Sequence, residues 1–372
     1  MRAIFFLLVS LLVLSVNFIF ADSWPEKPDY DFYAHPLLEI SKSKDNYAVG
    51  SVIKIIKTDE RSDILSVKIT HGVNKGQIVE AVNFKDGFLI DVRPGSRVLL
   101  SYKDNINSAG ATVVDYDRTL SLMLLAFLFL LFVLIIGGLN KLGGLFTLFA
   151  GIVIIIFVYV PLIIRGYSPL IISLFIVFFI TSTIIFFIGK FSRKSVSAIV
   201  GTLLSIIFVL ILGMIFYPLA NINGFSLESI QFLNYFSKNY SSWPFNNFQQ
   251  LLFSVLIIGA SGVIIDVAVC VASSMEQIVL KRSDISRKEL IHYGMNVGRD
   301  ISSIVSNTLV LAYFGAELIL IISLTVSIRS LTNLFNNEWF FIVVFQAVAG
   351  SIGFLLAVPF TAISSGYLMV KK

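Results

Sequence analysis

Hydrophobic and polar positions divide the chain into two regimes. In the first, apolar residues come in short β-branched runs at Val49–Ile56, Ile64–Thr70, Gln77–Asn83, Phe88–Val92 and Arg97–Tyr102. Turn-forming residues separate them at Asp59–Asp63, His71–Gly76, Lys85–Gly87 and Pro94–Gly95. This pattern predicts five or six strands in about 70 residues, enough for a small barrel of the OB or SH3 kind. After Arg118 the pattern changes abruptly. Long apolar stretches near residues 119–140, 142–164, 167–189, 195–219, 248–272, 301–328 and 340–370 are each long enough to cross about 30 Å of hydrocarbon. Asp266 interrupts the fifth, Glu317 the sixth, and Pro359 is expected to break the seventh.

Residues 1–21 add a further apolar run. Arg2, an uncharged stretch from Ala3 to Phe20, and Ala21 before Asp22 form a secretory signal pattern, with an uncleaved anchor as the alternative. Both readings carry residues 22–118 across the membrane. The expected architecture is an α-helical polytopic membrane protein with about seven transmembrane helices after a signal sequence. A small N-terminal extracytoplasmic β domain at 22–118 precedes a helical bundle at 119–372.

Composition agrees with this division. Hydrophobic residues make up 56% and charged residues 14% of 372, whereas a soluble domain has about 25% charged residues. Residues 1–118 hold 29 of the 51 charges, so the net charge of +5 comes from the apolar part. With the β domain outside, the inner loops hold 11 basic residues: Lys141; Lys190, Arg193 and Lys194; Lys281, Arg282, Arg287, Lys288 and Arg299, the last at the membrane boundary; and Lys371 and Lys372. The outer loops hold three: Arg165, Lys238 and Arg329. The excess is therefore topological, placing the C-terminus in the cytoplasm, and is not a nucleic-acid footprint. Tyr235, Phe236, Tyr240, Trp243 and Phe245 in the outer loop suit an interfacial aromatic belt. Cys270 is the one cysteine, His35, His71 and His292 lie far apart, and no phosphate-binding loop occurs. No metal, cofactor or catalytic residue is expected from these spacings. The expected partners are the lipid bilayer and a second membrane subunit or a homo-oligomer.

The polar residues of the last three spans carry the candidate chemistry. Helical spacing aligns Gly259, Gly262, Asp266, Cys270 and Ser273 on one face. The small residues admit a neighbouring backbone, and the acid is expected to face protein or water, because an ionised Asp at mid-membrane costs about 2.5–3.5 kcal/mol. In the next segment Arg299, Ser302 and Ser306 share one face; Asp300, Ser303 and Asn307 share an adjacent one. Gly294 and Gly298 precede them as packing positions, and Glu317 lies further along. A strip opposite Asp266 could hold water, a proton or a cation. The competing reading is that these groups only hold helices together, with Arg299 and Asp300 as a structural ion pair. Ser286 with Glu289 predicts the start of a short helix in the inner loop before them.

At these residues the chain resembles the YibE/F family of bacterial multi-pass membrane proteins. The matching stretches are Gly259–Ile278, His292–Leu318 and Ala349–Tyr367, in the family's order and separation. Val269–Cys270 departs from a pair that is more often Met–Ser-like in the family. The resemblance implies the layout of signal, extracytoplasmic domain and bundle. It implies no activity, since the family has no settled biochemical function.

Three functions compete on this basis. The leading one is a permease or transport component, since intramembrane acids flanked by small residues are the usual hardware of coupled movement. An intramembrane aspartyl protease would need Asp266 and Asp300 face to face, and the Gly-x-Gly-Asp signature is absent. The third is a non-transporting scaffold or assembly factor whose β domain docks a partner. Topology is testable directly. In a Cys270→Ser background, a cysteine at Ser283 is expected to be labelled from the cytoplasmic side; outside-only labelling would invert the bundle. N-terminal sequencing is expected to find Asp22 or a close neighbour, whereas Arg2 or Ala3 would make residues 3–20 an eighth helix.

Overall fold

The computed structural model describes residues 46–59, 61–72, 74–85, 90–102, 111–138, 149–189, 192–224, 248–327 and 330–370. The residues expected to form the signal segment and the interfacial aromatic belt lie outside them. The chain divides into two compact units, Trp24–Leu139 and a second built from Asn140–Lys372.

The first unit holds a closed five-stranded barrel of β1 (Asn46–Thr58), β2 (Ser62–His71), β3 (Ile78–Phe84), β4 (Arg97–Tyr102) and β5 (Ala111–Tyr116). The strand order is β1-β2-β3-β5-β4, antiparallel throughout except for the parallel β3–β5 pair. Alternation produces the core: Val79, Ala81 and Asn83 point inward from β3 and meet Leu65, Val67, Ile69, Val98 and Leu100. Register shifts along the 13-residue β1 bend it around two neighbours. Gly50 lies at that bend, where a Cβ would overlap Val67.

Four expected strands are present: the first two are longer than expected, the third is shifted by one residue, and the strand at Arg97–Tyr102 has the expected bounds. The expected strand at Phe88–Val92 is not: its described residues, Ile90–Val92, are irregular, and the fifth strand is Ala111–Tyr116. The Asn83 side chain explains the difference, since its amide donates to the Ile90 carbonyl at 3.0 Å from inside the barrel. That carbonyl is thereby held by a side chain rather than by a ladder. Barrel closure instead uses a parallel pairing between distant segments, which short-range alternation does not reveal.

The barrel leads into α1 (Thr119–Gly137) through a knot of charge. Asp117 pairs with Arg97 of β4 at 2.8 Å and accepts from the Thr119 backbone N–H at 3.1 Å. Asp115 pairs with Arg118 at 2.6 Å. The hydrogen bonds from Thr119, then the nearby Arg97 charge, hold the Asp117 carboxyl below the usual carboxylate range. The Arg118 hydrogen bond does the same for Asp115.

The second unit is helical: α2 (Phe149–Ile164), α3 (Pro169–Gly189), α4 (Arg193–Leu219), α5 (Phe248–Lys281), α6 (Arg287–Ala316), α7 (Leu318–Ser327), α8 (Leu331–Phe335) and α9 (Glu338–Met369). Ser192, Ser286 and Asn337 cap α4, α6 and α9 by accepting backbone N–H groups of the first turn. Among the described residues four helices, α1, α4, α5 and α9, are long and apolar enough to cross a membrane; α6 with α7, bent by 58° at the break around Glu317, makes a fifth. The expected spans at 142–164 and 167–189 correspond to the shorter apolar helices α2 and α3. The expected span at 301–328 is a broken helix that begins at Arg287, where the Ser286 cap starts it. The expected break at Pro359 does not occur, because α9 runs through it. Packing on three sides holds the helix across the one missing hydrogen bond.

Helix α9 is the centre of the unit, packed against α4, α5 and α6. Its contacts are made through glycines on both sides. A Cβ at Gly353 would overlap Val209 of α4 and crowd Ile264 of α5, and one at Gly366 would crowd Ile291 of α6. Reciprocally, Gly201 of α4 sits flush on Thr361, and Gly298 of α6 on Val358. Near one end Tyr217 lies between Phe253 and Phe345, with ring centroids 5.2 and 4.9 Å away. There Glu338 accepts the backbone N–H groups of Asn223 and Gly224, tying the end of α4 to the start of α9.

Two expectations follow. Gly298→Val overpacks the α6–α9 contact and is expected to cost about 1–3 kcal/mol in a detergent unfolding assay. Gly262→Ala, with open space around the added Cβ, is expected to be neutral or stabilising. For the barrel, carboxyls held below their ordinary value contribute stability that is present near neutrality and above pH 4. That contribution is lost as pH falls through the lowered values. Asp117→Asn should therefore flatten the acid limb of the barrel's unfolding curve.

Candidate functional site

The buried stripe of α6 runs Leu290, Gly294, Gly298, Ser302 at four-residue spacing. Gly294 lies against Met275 of α5 and Ala362 of α9, and Gly298 against Val358. One turn on, the contact opens. Met295, Arg299, Ser302, Ser303 and Ser306 of α6 face Leu355, Val358 and Pro359 of α9 across a groove of about 380 Å³. The close approach at Gly298 positions this groove, and the proline bounds it.

The hydroxyls of the groove differ in what they touch. Ser303 donates to the Asp300 carbonyl at 2.9 Å and Ser306 to the Ser302 carbonyl at 2.8 Å, so both are occupied within their own helix. Ser302 is 4% exposed, and its Oγ has no hydrogen-bond partner. An unpaired buried hydroxyl costs about 1–3 kcal/mol. Pro359 has no N–H, which leaves the Leu355 carbonyl, on the same groove, without its intrahelical donor. Arg299 is exposed, and its one hydrogen bond is a long 3.5 Å contact to the Asn296 amide oxygen. Among the described residues no ion pair joins Arg299 to Asp300 or to any other acid.

The other sequence-selected residues lie elsewhere. Asp266, Gly259, Gly262 and Cys270 all fall on the exposed face of α5, and Asp266 does not line the groove. Among the described residues its carboxylate has no hydrogen-bond or ion-pair partner. Its depth follows from two contacts between the antiparallel α5 and α6. A Cβ on Gly259 would crowd the Tyr313 hydroxyl, and Gly294 faces Met275. Counting inward from each contact puts Asp266 level with Ser306 and Ser303, at about 1.5 Å per residue. Ser303, Asn307 and Asp300 are exposed on α6. Glu317 is half-buried at the α6–α7 bend, remote from the groove.

Sequence reasoning missed a second polar seam, between α4 and α9. Ser364 donates to the Ser197 carbonyl at 3.0 Å, while the buried hydroxyls of Thr202, Thr361 and Ser365 have no partner. The four-residue spacing of Gly353, Ala357, Thr361 and Ser365 was the available signal. Also missed was the ion pair of Lys194 on α4 with Glu276 on α5, at 2.6 Å. Arg287 lies over the Tyr367 ring at 4.4 Å. These pairs close one end of the bundle, the end that carries Lys281, Arg282 and Lys288.

Comparison with known proteins gives one family. The model of the family described as YibE/F-like protein matches residues 125–371, which include every helix after the first turns of α1. No curated protein and no solved structure matches the chain.

The unpaired hydroxyl makes an expectation about stability. Ser302→Ala removes a buried group that bonds nothing, so the unfolding midpoint in detergent should stay or rise, by up to about 1 kcal/mol. Glu276→Gln, which leaves Lys194 unpartnered at a half-buried site, should lower it.

Proposed function

The chain belongs to the YibE/F-like protein family, and from that premise we propose that it is a membrane transport component, a permease with a polar pathway around Asp266 and the 299–307 segment. The observation that carries this reading is the groove, where an unpartnered buried hydroxyl, a freed carbonyl and an arginine without an acid converge inside an apolar bundle. Polar groups at such depth are costly and are by default functional. Asp266, level with Ser303 and Ser306 on the adjoining helix, supplies the titratable charge that coupling to a proton or cation requires. In this reading the protein lies in the bacterial cytoplasmic membrane, the barrel outside and the C-terminus inside. The strand order β1-β2-β3-β5-β4 supports an OB-like barrel.

We read the chain as a carrier rather than an enzyme. A hydrolase would need two acids facing one substrate, and Asp266 and Asp300 stand exposed on different helices with no hydrogen bond between them. A second reading, a scaffold whose barrel docks a partner, is favoured by the exposed Ile53, Ile55, Ile56, Ile78 and Phe84 on the barrel wall.

Flux in proteoliposomes separates the two. Wild type is expected to move protons or a co-transported solute, and Asp266→Asn to lose this by more than about tenfold, at an unchanged unfolding midpoint. Equal behaviour of Asn and Asp would leave the acid a packing role and favour the scaffold.

A further inference from the structure

We propose that the groove between α6 and α9 binds an anionic group carried on an apolar stem, with Arg299 as its charge partner and Ser302 as its buried hydrogen-bond donor. The proposal deepens the transport reading, on which it rests for what binding leads to, by naming the ligand class.

The sign of the charge comes from the lining. Of the eight residues that line the groove only Arg299 is charged, and none is acidic. Arginine stays protonated at all physiological pH and matches carboxylate and phosphate oxygens with a planar fork of donors. A cation would meet that charge with no carboxylate to offset it. The single contact of the guanidinium, to Asn296 at 3.5 Å, is too weak to occupy its five N–H groups.

The position of the hydroxyl points the same way. Ser303 and Ser306 spend their hydrogens on carbonyls of their own helix, the ordinary habit of serine in apolar helices. Ser302 shares the groove with them and does not. Its buried Oγ has no acceptor within α6, and an anionic oxygen is the acceptor that Arg299, one turn away, would also attract. The Leu355 carbonyl adds an acceptor for a hydroxyl on the same ligand. The remaining lining, Met295, Leu355, Val358 and Pro359, is apolar and suits an alkyl or acyl stem. Phosphate esters on such a stem fit this chemistry. They come from two sources: the headgroup of a membrane lipid such as phosphatidylglycerol, or a free amphiphilic anion.

The test uses the full-length protein in nanodiscs. In one arm the discs are phosphatidylcholine with a minor share of phosphatidylglycerol, and lipid retained on the released protein is counted by native mass spectrometry. In the other arm the discs are pure phosphatidylcholine and hexyl phosphate is titrated in. Wild type is expected to enrich phosphatidylglycerol if the source is the bilayer, or to bind hexyl phosphate if it is a free anion; either result supports the site. In the productive arm Arg299→Gln is expected to weaken binding by about tenfold or more, and Ser302→Ala by about three- to tenfold. Arg282→Gln, at an arginine already paired with Glu289 at 2.9 Å, should change nothing. No binding in either arm, or binding that all three variants leave equal, overturns the proposal. Ser302→Ala keeps the test valid if Arg299→Gln does not fold. The flux assay separates the two readings. Binding as stated without any flux refutes transport and keeps the site, while flux that depends on Asp266 without anion binding refutes the site and keeps transport.

Discussion

Everything in the helical unit depends on how closely α9 approaches its neighbours. In a bilayer, lipid tails are as apolar as leucine, so helices do not associate to escape water. They associate where backbones can come near enough for dense van der Waals contact. Here that approach is made glycine by glycine: Gly353 on Val209 and Ile264, Gly298 on Val358, Gly201 on Thr361, Gly366 on Ile291. The contacts alternate in direction, with glycines of α9 receiving side chains and side chains of α9 entering glycines of α4 and α6. Held in this way, α9 carries Pro359 without breaking. The proline's lost hydrogen bond then becomes a feature of a wall instead of a hinge.

The same packing decides which polar groups are informative. Most serines of the bundle satisfy themselves one turn back, as Ser197 does on Arg193, Ser205 on Gly201, Ser254 on Gln250 and Ser351 on Ala347, all at 2.7–2.9 Å. Such residues act as small, slightly polar packing units. Ser302, Thr202, Thr361 and Ser365 break the habit. Three of them belong to the tight α4–α9 seam, and Ser302 is among the residues that line the groove. Among these four hydroxyls Ser302 alone belongs to the α6 wall of the groove, which sets it apart from the rest of the polar content of the bundle.

How far the sequence could be read depended on the range of the interactions involved. Alternation within single strands identified β1 to β4, and the Ser286 cap marked a helix start, because both are settled by near neighbours; that this start belongs to the long α6 and not to a short loop helix was not read. The pairing of β5 with β3 and the continuity of α9 through Pro359 depend on distant contacts, and local reading missed both. At the candidate site, the face of Arg299, Ser302 and Ser306 was visible as helical spacing, and these three residues do share the groove. Its partner was not visible. The stripe of Gly259, Gly262 and Asp266 suggested that α5 faces this strip, whereas the wall opposite belongs to α9. Small residues mark a face that something can approach, but they do not name the helix that does so. Gly259 receives Tyr313, and Gly262 has open space around it.

Helix α6 therefore stands between two polar features. On one side lies the groove with α9. On the other, one residue step or about 100° around the helix, Ser303 and Asn307 are exposed at the depth of Asp266 on α5. A carboxylate on this face, set against hydrocarbon, would cost about 2.5–3.5 kcal/mol even on the lenient scale. Hydroxyl and amide groups at the same level reduce that cost only if protein or water stands beside them as well. The outer face of α5 and α6 is thus a surface that lipid alone would not stabilise, while the groove behind it is one that lipid or an amphiphile can enter. The two faces require different surroundings. They are joined by one helix, fixed at Gly294 and Gly298 and bent at Glu317, so the physical question for this bundle is what α6 transmits from one side to the other.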